Sequence, residues 1–248
     1  MKSYFNIRYE MDRGRVHDAI AEQLTKPGSD YICVADGTIL TVVNKDKDYR
    51  EVVNGGMFSI CDSSYVPLYI KWLYGERYGQ YCGSEIFKDI VSGGKYRMIF
   101  LGTQQNILDG LKANLAKLNP EVANMTFSEL PFRKVDEFDY EGIAEMIEKD
   151  GAEIIWIALG APKQEIFMSR LKPHLKHGVM IAVGAAFKFY SGVSSNRAPR
   201  WMVRHHLEFV HRIFKEPKKQ LKRCSMIVFT LPKLLWQERK RKKENMNN

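Results

Sequence analysis

The chain has 248 residues, 45% of them hydrophobic and 12% aromatic, enough to bury a sizeable core in one large or two small domains, which excludes a disordered chain. Its four cysteines, Cys33, Cys61, Cys82 and Cys224, form no C-x-x-C pair, so neither a zinc cage nor a disulfide framework is expected and a reducing cytoplasm fits. The net charge of +9 is local, because residues 200–243 hold fourteen Lys/Arg against three acids, Glu208, Glu216 and Glu238, and the body is left nearly neutral.

In chain order, the opening MKSYFNIRYEMDRGR has no apolar h-region, so no secretory signal is expected. Residues 31–43 (YICVADGTILTVV) read as apolar segments around a turn, 46–54 as a polar helix, MFSIC as an apolar run ending in Asp62-Ser63-Ser64, and 65–74 as a largely buried helix. Gly93-Gly94 breaks the pattern. A regular rhythm follows: strand 97–102, helix 104–118, a strand around 125–127, helix 139–149, strand 154–159, helix 163–171 and strand 178–183. That alternation predicts an α/β fold, a Rossmann-like parallel sheet with helices on both faces and right-handed crossovers.

Three regions are expected: a smaller α/β region at 1–94, a Rossmann-like region at 95–199, and a basic amphipathic helical appendage at 200–248. Pro217 and Pro232 should break the appendage into pieces. Its Ile227, Phe229, Leu234, Leu235 and Trp236 lie among Lys218, Lys219, Lys222, Arg223, Lys233 and a run from Arg239 to Lys243, the composition of an interfacial basic helix facing an anionic membrane surface. Met226 to Leu231, the longest apolar run there, is far short of the ~20 residues that span a bilayer. Peripheral attachment to the inner face of the cell membrane is therefore expected.

The loops after the runs EIIWIALG and GVMIAVG are the first place to look for a site, because continuous apolar runs suit strands buried on both faces and ligands bind at their carboxyl ends. After Leu159, Gly160 and Ala161 allow close backbone approach, Pro162 suits a first helical position, and Lys163, Gln164 and Glu165 fall on the opening turn of a helix. Amides, a positive dipole end and a lysine there would suit a diphosphate, although Lys163 and Glu165 also read as ordinary surface residues of a first turn. Gly102-Thr103-Gln104, after the preceding strand, is a second candidate nucleotide contact. Asp46-Lys47-Asp48 satisfies a D-x-D pattern, but it opens a helix rather than ending a strand, so no metal site is expected. His205, His206 and His211 do not share a helical face and read as structural or interfacial.

Five motifs in order, a strand-end aspartate at Asp62, LGAPKQE (159–165), GAAFKFYSG (184–192), RAPRW (197–201) and HLEFVHRIFKEP (206–217), resemble the WecG/TagA/CpsF family of bacterial glycosyltransferases, family twenty-six in the sequence-based classification. The likeness covers most of residues 30–225. It implies transfer of a sugar, N-acetylmannosamine in the best-known members, from a UDP-sugar to a polyprenyl-diphosphate-linked acceptor, with inversion, without metal or other cofactor, for a capsule, exopolysaccharide or wall polymer. It also allows for homo-oligomers, since members form dimers or trimers.

The resemblance assigns Asp62 the role of general base toward the acceptor hydroxyl; without it, Asp62 reads first as an Asx-turn residue starting the next helix. It places Gln164 in the donor pocket and Arg197 near the diphosphate, with Arg212 and more weakly Arg204 and Arg223 closing from the tail. The chain departs from the family at Asp36, which stands where an asparagine is usual, at Ser63, where Asp-Gly is usual, and at Gln80, where an arginine is usual and for which Arg77 is a substitute. A basic nucleic-acid-binding protein is the competing class, but the charge is confined to one apolar-rich segment and no recognition motif is evident, so no nucleic-acid partner is expected. A dehydrogenase is disfavoured because no G-x-G-x-x-G follows a strand.

Overall fold

The computed structural model describes residues 1–193 and 217–247. Strands β1 (Lys2–Tyr4) and β2 (Ile7–Tyr9) form an antiparallel hairpin, followed by helix α1 (Arg13–Gln23), β3 (Asp30–Ala35), α2 (Gly37–Val43), α3 (Lys47–Asn54) and β4 (Phe58–Cys61). Helices α4 (Val66–Tyr74) and α5 (Gly83–Gly93) lead to β5 (Met98–Gly102), α6 (Gln105–Leu115), β6 (Thr126–Ser128), α7 (Tyr140–Asp150), β7 (Ile154–Ala158), α8 (Lys163–Leu171), β8 (Val179–Ala182) and α9 (Ala186–Ser191). The last described element is α10 (Pro217–Asn247).

All eight strands join one sheet in the order β1-β2-β4-β3-β8-β7-β5-β6, parallel except for the β1–β2 pair. The sheet is continuous across residues 90–95, because β3 pairs with β4 on one side and β8 on the other. Alternation along the central strands sends side chains to two separate cores. Ile155 and Ile157 join Ile70, Leu73, Phe167 and Met168 on one face, while Ile154 and Trp156 join Phe87, Leu108, Leu111 and Phe187 on the other. Strands buried on both faces explain why these segments read as unbroken apolar runs.

The hairpin is absent from the sequence-based expectations because its turn residues, Phe5 and Asn6, adopt positive φ of 52° and 64° without a glycine to announce it. Tertiary contacts hold the turn: the Phe5 side chain is buried, and the Asn44 side-chain amide donates to the Phe5 carbonyl.

The expectation that Pro232 would break the appendage is corrected, since α10 runs through it. An interior proline costs a helix roughly 3 kcal/mol. The segment beyond it is held by packing: Leu234 is buried in the same core as Ile39 and Ile70, and the fully buried Glu238 carboxylate accepts from the Tyr74 hydroxyl at 2.9 Å and from Arg241 at 2.8 Å. Arg241 also donates to the Asn6 side chain, and the Lys242 ammonium donates to the Leu73 carbonyl at the end of α4. Among the described residues, no helix is long and apolar enough to cross a membrane.

Leu234→Ala should lower stability by about 2–3 kcal/mol, the lower part of the range for a buried leucine, and expose α10 to limited proteolysis. A wild-type denaturation midpoint and digestion pattern would show that this helix is not held by that contact.

Candidate active site

The chain passes from β5 outward to β6 but from β7 the other way to β8, so the order reverses between the neighbouring strands β5 and β7. Such a reversal opens a crevice beyond the carboxyl ends of two strands, where open α/β sheets take ligands. Gly102-Thr103 leaves one side of it and Gly160-Ala161-Pro162 the other.

Both loops are bent to fit. Gly102 has φ 118°, and a Cβ there would meet the Ala158 carbonyl oxygen at 2.7 Å, so only glycine lets β5 and β7 close up at their ends. Thr103 follows at φ 62°, an uncommon conformation for a threonine, of the kind that collects at functional sites. Gly160 and Gly184, ending β7 and β8, have φ of 78° and 49°.

The LGAPKQE segment is built differently from the surface reading of its polar residues. Gln164 is 4% exposed; its Oε1 accepts the Gly160 amide at 3.0 Å and its Nε2 donates to Glu165 Oε1 at 2.9 Å. Glu165 is wholly buried rather than a surface residue, and its Oε2 accepts the Tyr49 hydroxyl at 3.0 Å, which ties α8 to α3. Burial raises its pKa from 4.5 to about 7, against the opposing pull of hydrogen bonds from Gln164, its own amide and Tyr49, with the nearby Asp36 charge adding to the rise. Lys163 extends over the rings of Phe138 and Phe132, at 5.0 and 5.3 Å, so its charge is held by aromatic faces in this arrangement.

Three strands along the same edge from β7, Asp62 ends β4. Its amide donates to the Ala35 carbonyl at 3.1 Å and its Oδ1 accepts the amide of Gly83 at 2.9 Å, the first residue of α5. A carboxylate at that place meets the positive end of the helix dipole. The cap position of α4 is Tyr65, which carries no side-chain cap bond, so Asp62 is not the N-cap of that helix. Gln80 donates from Nε2 to the Asp62 carbonyl at 2.8 Å and thereby braces the same loop. Arg77 is exposed in the segment between α4 and α5. Asp36, ending β3, caps α2 by accepting from the amides of Thr38 and Ile39 at 2.8 and 3.0 Å.

The carboxyl edge therefore carries, strand by strand from β4 through β3, β8 and β7 to β5, Asp62, Asp36, Gly184, Gly160 with Gln164, and Gly102 with Thr103. At the ~4.8 Å spacing of neighbouring strands, the β7–β5 crevice lies roughly 17 Å from Asp62, the span of an extended nucleotide diphosphate sugar. Arg197, Arg204, Arg212, His205, His206 and His211 lie outside the described residues, as does the side chain of Arg223. Asp46 of the D-x-D pattern caps α3, its side chain accepting the Tyr49 amide at 3.0 Å. One participant carries no sequence signal of its own: Tyr49, 116 positions from its partner Glu165.

One strand edge of an α/β sheet thus carries both a switch-point crevice and, three strands from β7, a carboxylate braced by a helix amide. The chain matches the model of the Glycosyl transferase WecG/TagA/CpsF family over residues 3–246 and belongs to that family; it is a glycosyltransferase. It is 26% identical over 224 residues, 86% of this chain and 84% of the relative, to the N-acetylglucosaminyldiphosphoundecaprenol N-acetyl-beta-D-mannosaminyltransferase of Bacillus subtilis (strain 168). It is 21% identical over 192 residues, 76% of this chain and 72% of the relative, to the protein of the same name from Bacillus spizizenii (strain ATCC 23059 / NRRL B-14472 / W23).

Gly102→Ala should destabilise the fold by about 2 kcal/mol or more, because the added methyl meets backbone and the φ is unsuited to alanine; an unchanged denaturation midpoint would contradict the tight β5–β7 approach. For Glu165, the folded chain keeps between pH 4.5 and about 7 a proton that the unfolded chain releases, so stability falls as pH rises through that interval. Glu165→Gln should remove this fall, which is on the order of 3 kcal/mol, and parallel pH–stability curves for the two proteins would contradict the burial of an ionisable group there.

Proposed function

We propose that this glycosyltransferase moves an N-acetylhexosamine, such as N-acetylmannosamine, from a UDP-sugar to a polyprenyl-diphosphate-linked saccharide, inverting the anomeric centre, for a capsule, exopolysaccharide or wall polymer. The observation that carries the reading is the placing of Asp62, with Oδ1 on the Gly83 amide, at the opposite end of one strand edge from the glycine-lined crevice between β5 and β7. The names of the two Bacillus relatives supply the sugar and the lipid-linked acceptor.

In this reading the uridine diphosphate lies at the crevice, near Gly102, Thr103 and the Gly160 loop, and the sugar extends past Gly184 and Asp36 toward Asp62. The acceptor hydroxyl gives its proton to the Asp62 carboxylate as its oxygen attacks the anomeric carbon, and the bond to the UDP oxygen breaks on the opposite face. Negative charge then grows on the departing diphosphate, where Arg197 and Arg212 would meet it. Gln164 and Glu165 act from beneath by fixing the Gly160 loop. Asp36 and Gln80, where the chain departs from its family, line the sugar's path and give specificity for the transferred or receiving sugar. No metal is required by this scheme. The protein works at the inner membrane face, held by the basic residues of α10.

The test is UDP release from a panel of UDP-sugars with a polyprenyl-diphosphate-linked acceptor, in chelator, comparing wild type with Asp62→Asn. Acceptor-dependent turnover in chelator that falls about a hundredfold or more in the variant is expected. A variant of undiminished kcat would remove Asp62 from the mechanism, and turnover restored only by a divalent cation would overturn the metal-free scheme.

A further inference from the structure

Helix α4 begins four residues after Asp62 and buries Val66, Pro67, Ile70 and Leu73. On its opposite face Leu68 and Trp72 are 47% and 66% exposed, with Tyr65 in line one turn earlier and Lys71 exposed beside them. The spacing 65, 68, 72 makes a single apolar stripe along the outside of the helix. A short helix that buries one side and presents a second apolar stripe to solvent has a surface still to be covered.

Helix α10 packs against α2 and α4 and has the same two-sided character. Thr230, Leu234 and Glu238 face inward, while Val228, Phe229 and Trp236 are 62%, 84% and 66% exposed, with Lys233, Arg239, Lys240 and Lys243 exposed along the same outer side. The two helices are fastened by Tyr74 on Glu238 and by Lys242 on the Leu73 carbonyl. Ile70, Leu73 and Leu234 belong to one buried cluster, so both outer faces turn away from the same core.

The charge along this surface is predominantly positive. Glu238 is buried, Glu76 is paired with Lys2, and Glu244 is 3.7 Å from Lys240, whereas Lys71, Lys233, Arg239 and Lys243 are exposed. Beside Trp236 a cavity of about 430 Å³ between α10 and the body is lined by three cations, Arg50, Lys240 and Arg241, and one carboxylate, Glu244. Tryptophans beside an excess of cations match the head-group region of an anionic bilayer.

We propose that the outer face of α4, led by Leu68 and Trp72, is a second membrane-contact element in the body of the enzyme, entering an anionic lipid interface beside α10 and setting the Asp62 end of the strand edge against the bilayer. This rests on the reading above that the acceptor is lipid-linked, and it extends the contact from the basic appendage to the helix that leaves the catalytic loop. An acceptor diphosphate at the lipid surface then meets Asp62 without leaving the head-group layer.

The full-length Leu68→Ser/Trp72→Ser double variant tests it. Three measurements are compared with wild type: co-sedimentation with phosphatidylglycerol-containing vesicles, turnover on an acceptor embedded in those vesicles, and turnover on a water-soluble short-chain isoprenyl-diphosphate acceptor. Vesicle binding and embedded-acceptor turnover should each fall about tenfold or more, with soluble-acceptor turnover unchanged, and Trp72→Phe should retain binding. Undiminished vesicle binding by the double variant would overturn the proposal. So would a lowered sedimentation coefficient in the variant with unaltered vesicle binding, since the face would then join copies of the chain. If wild type releases no UDP with either acceptor, the proposed reaction falls, and vesicle co-sedimentation by itself still decides the role of α4.

Discussion

A parallel sheet covered by helices on both faces leaves polar chemistry nowhere to stand except at the ends of its strands. Here the central strands bury Ile154, Ile155, Trp156 and Ile157 completely, and neighbouring strands do the same. Every turn at the carboxyl end then delivers its first polar residue to a common edge, in the order set by pairing. That is how Asp62, Asp36, Thr103 and the Gly160 loop, spread over about 125 positions of chain, come to stand along one edge. Two contacts keep the row in register at its Asp62 end: the Asp62 amide on the Ala35 carbonyl, and the Gly83 amide on the Asp62 carboxylate.

Beneath that row lies a layer of buried polar links. Gln164 and Glu165 point inward, one closing the Gly160 loop and the other reaching Tyr49 on α3. Buried polar groups without partners are costly, so such a network holds its members in one geometry. Glu238 does the corresponding work for α10, since its carboxylate is reached from α4 by Tyr74 and from its own helix by Arg241, which in turn holds the hairpin through Asn6. The described part of the appendage is thereby tied to α4 and to the hairpin through packed and hydrogen-bonded contacts.

Much of the architecture was legible because periodicity and breakers are local properties. The strands at 98–102, 154–158 and 179–182 and the helices at 47–54, 66–74, 140–150 and 163–171 fall within a few residues of the segments read from apolar pattern alone. What escaped notice had local signals that pointed elsewhere. The hairpin turns on Phe5 and Asn6 instead of glycine, and α5 is bracketed by Gly83 and Gly93-Gly94, residues that favour loops. Pro232 has the local chemistry of a break, and packing around Leu234 and Glu238 overrides it.

The sequence by itself determined the α/β alternation, the two candidate loops after apolar strands, the strand-end Asp62 and the concentration of charge in the last fifty residues, since each is written in neighbouring side chains. Only the tertiary structure decided which of the polar residues in Lys163-Gln164-Glu165 turn inward, that Gly83 holds Asp62, that the order of strands reverses between β5 and β7, and that α4 and α10 share an outer surface. Those outcomes depend on pairings between segments tens of positions apart, such as Asp62 with Gly83 and Tyr49 with Glu165, and a linear pattern carries no record of which distant segments will meet.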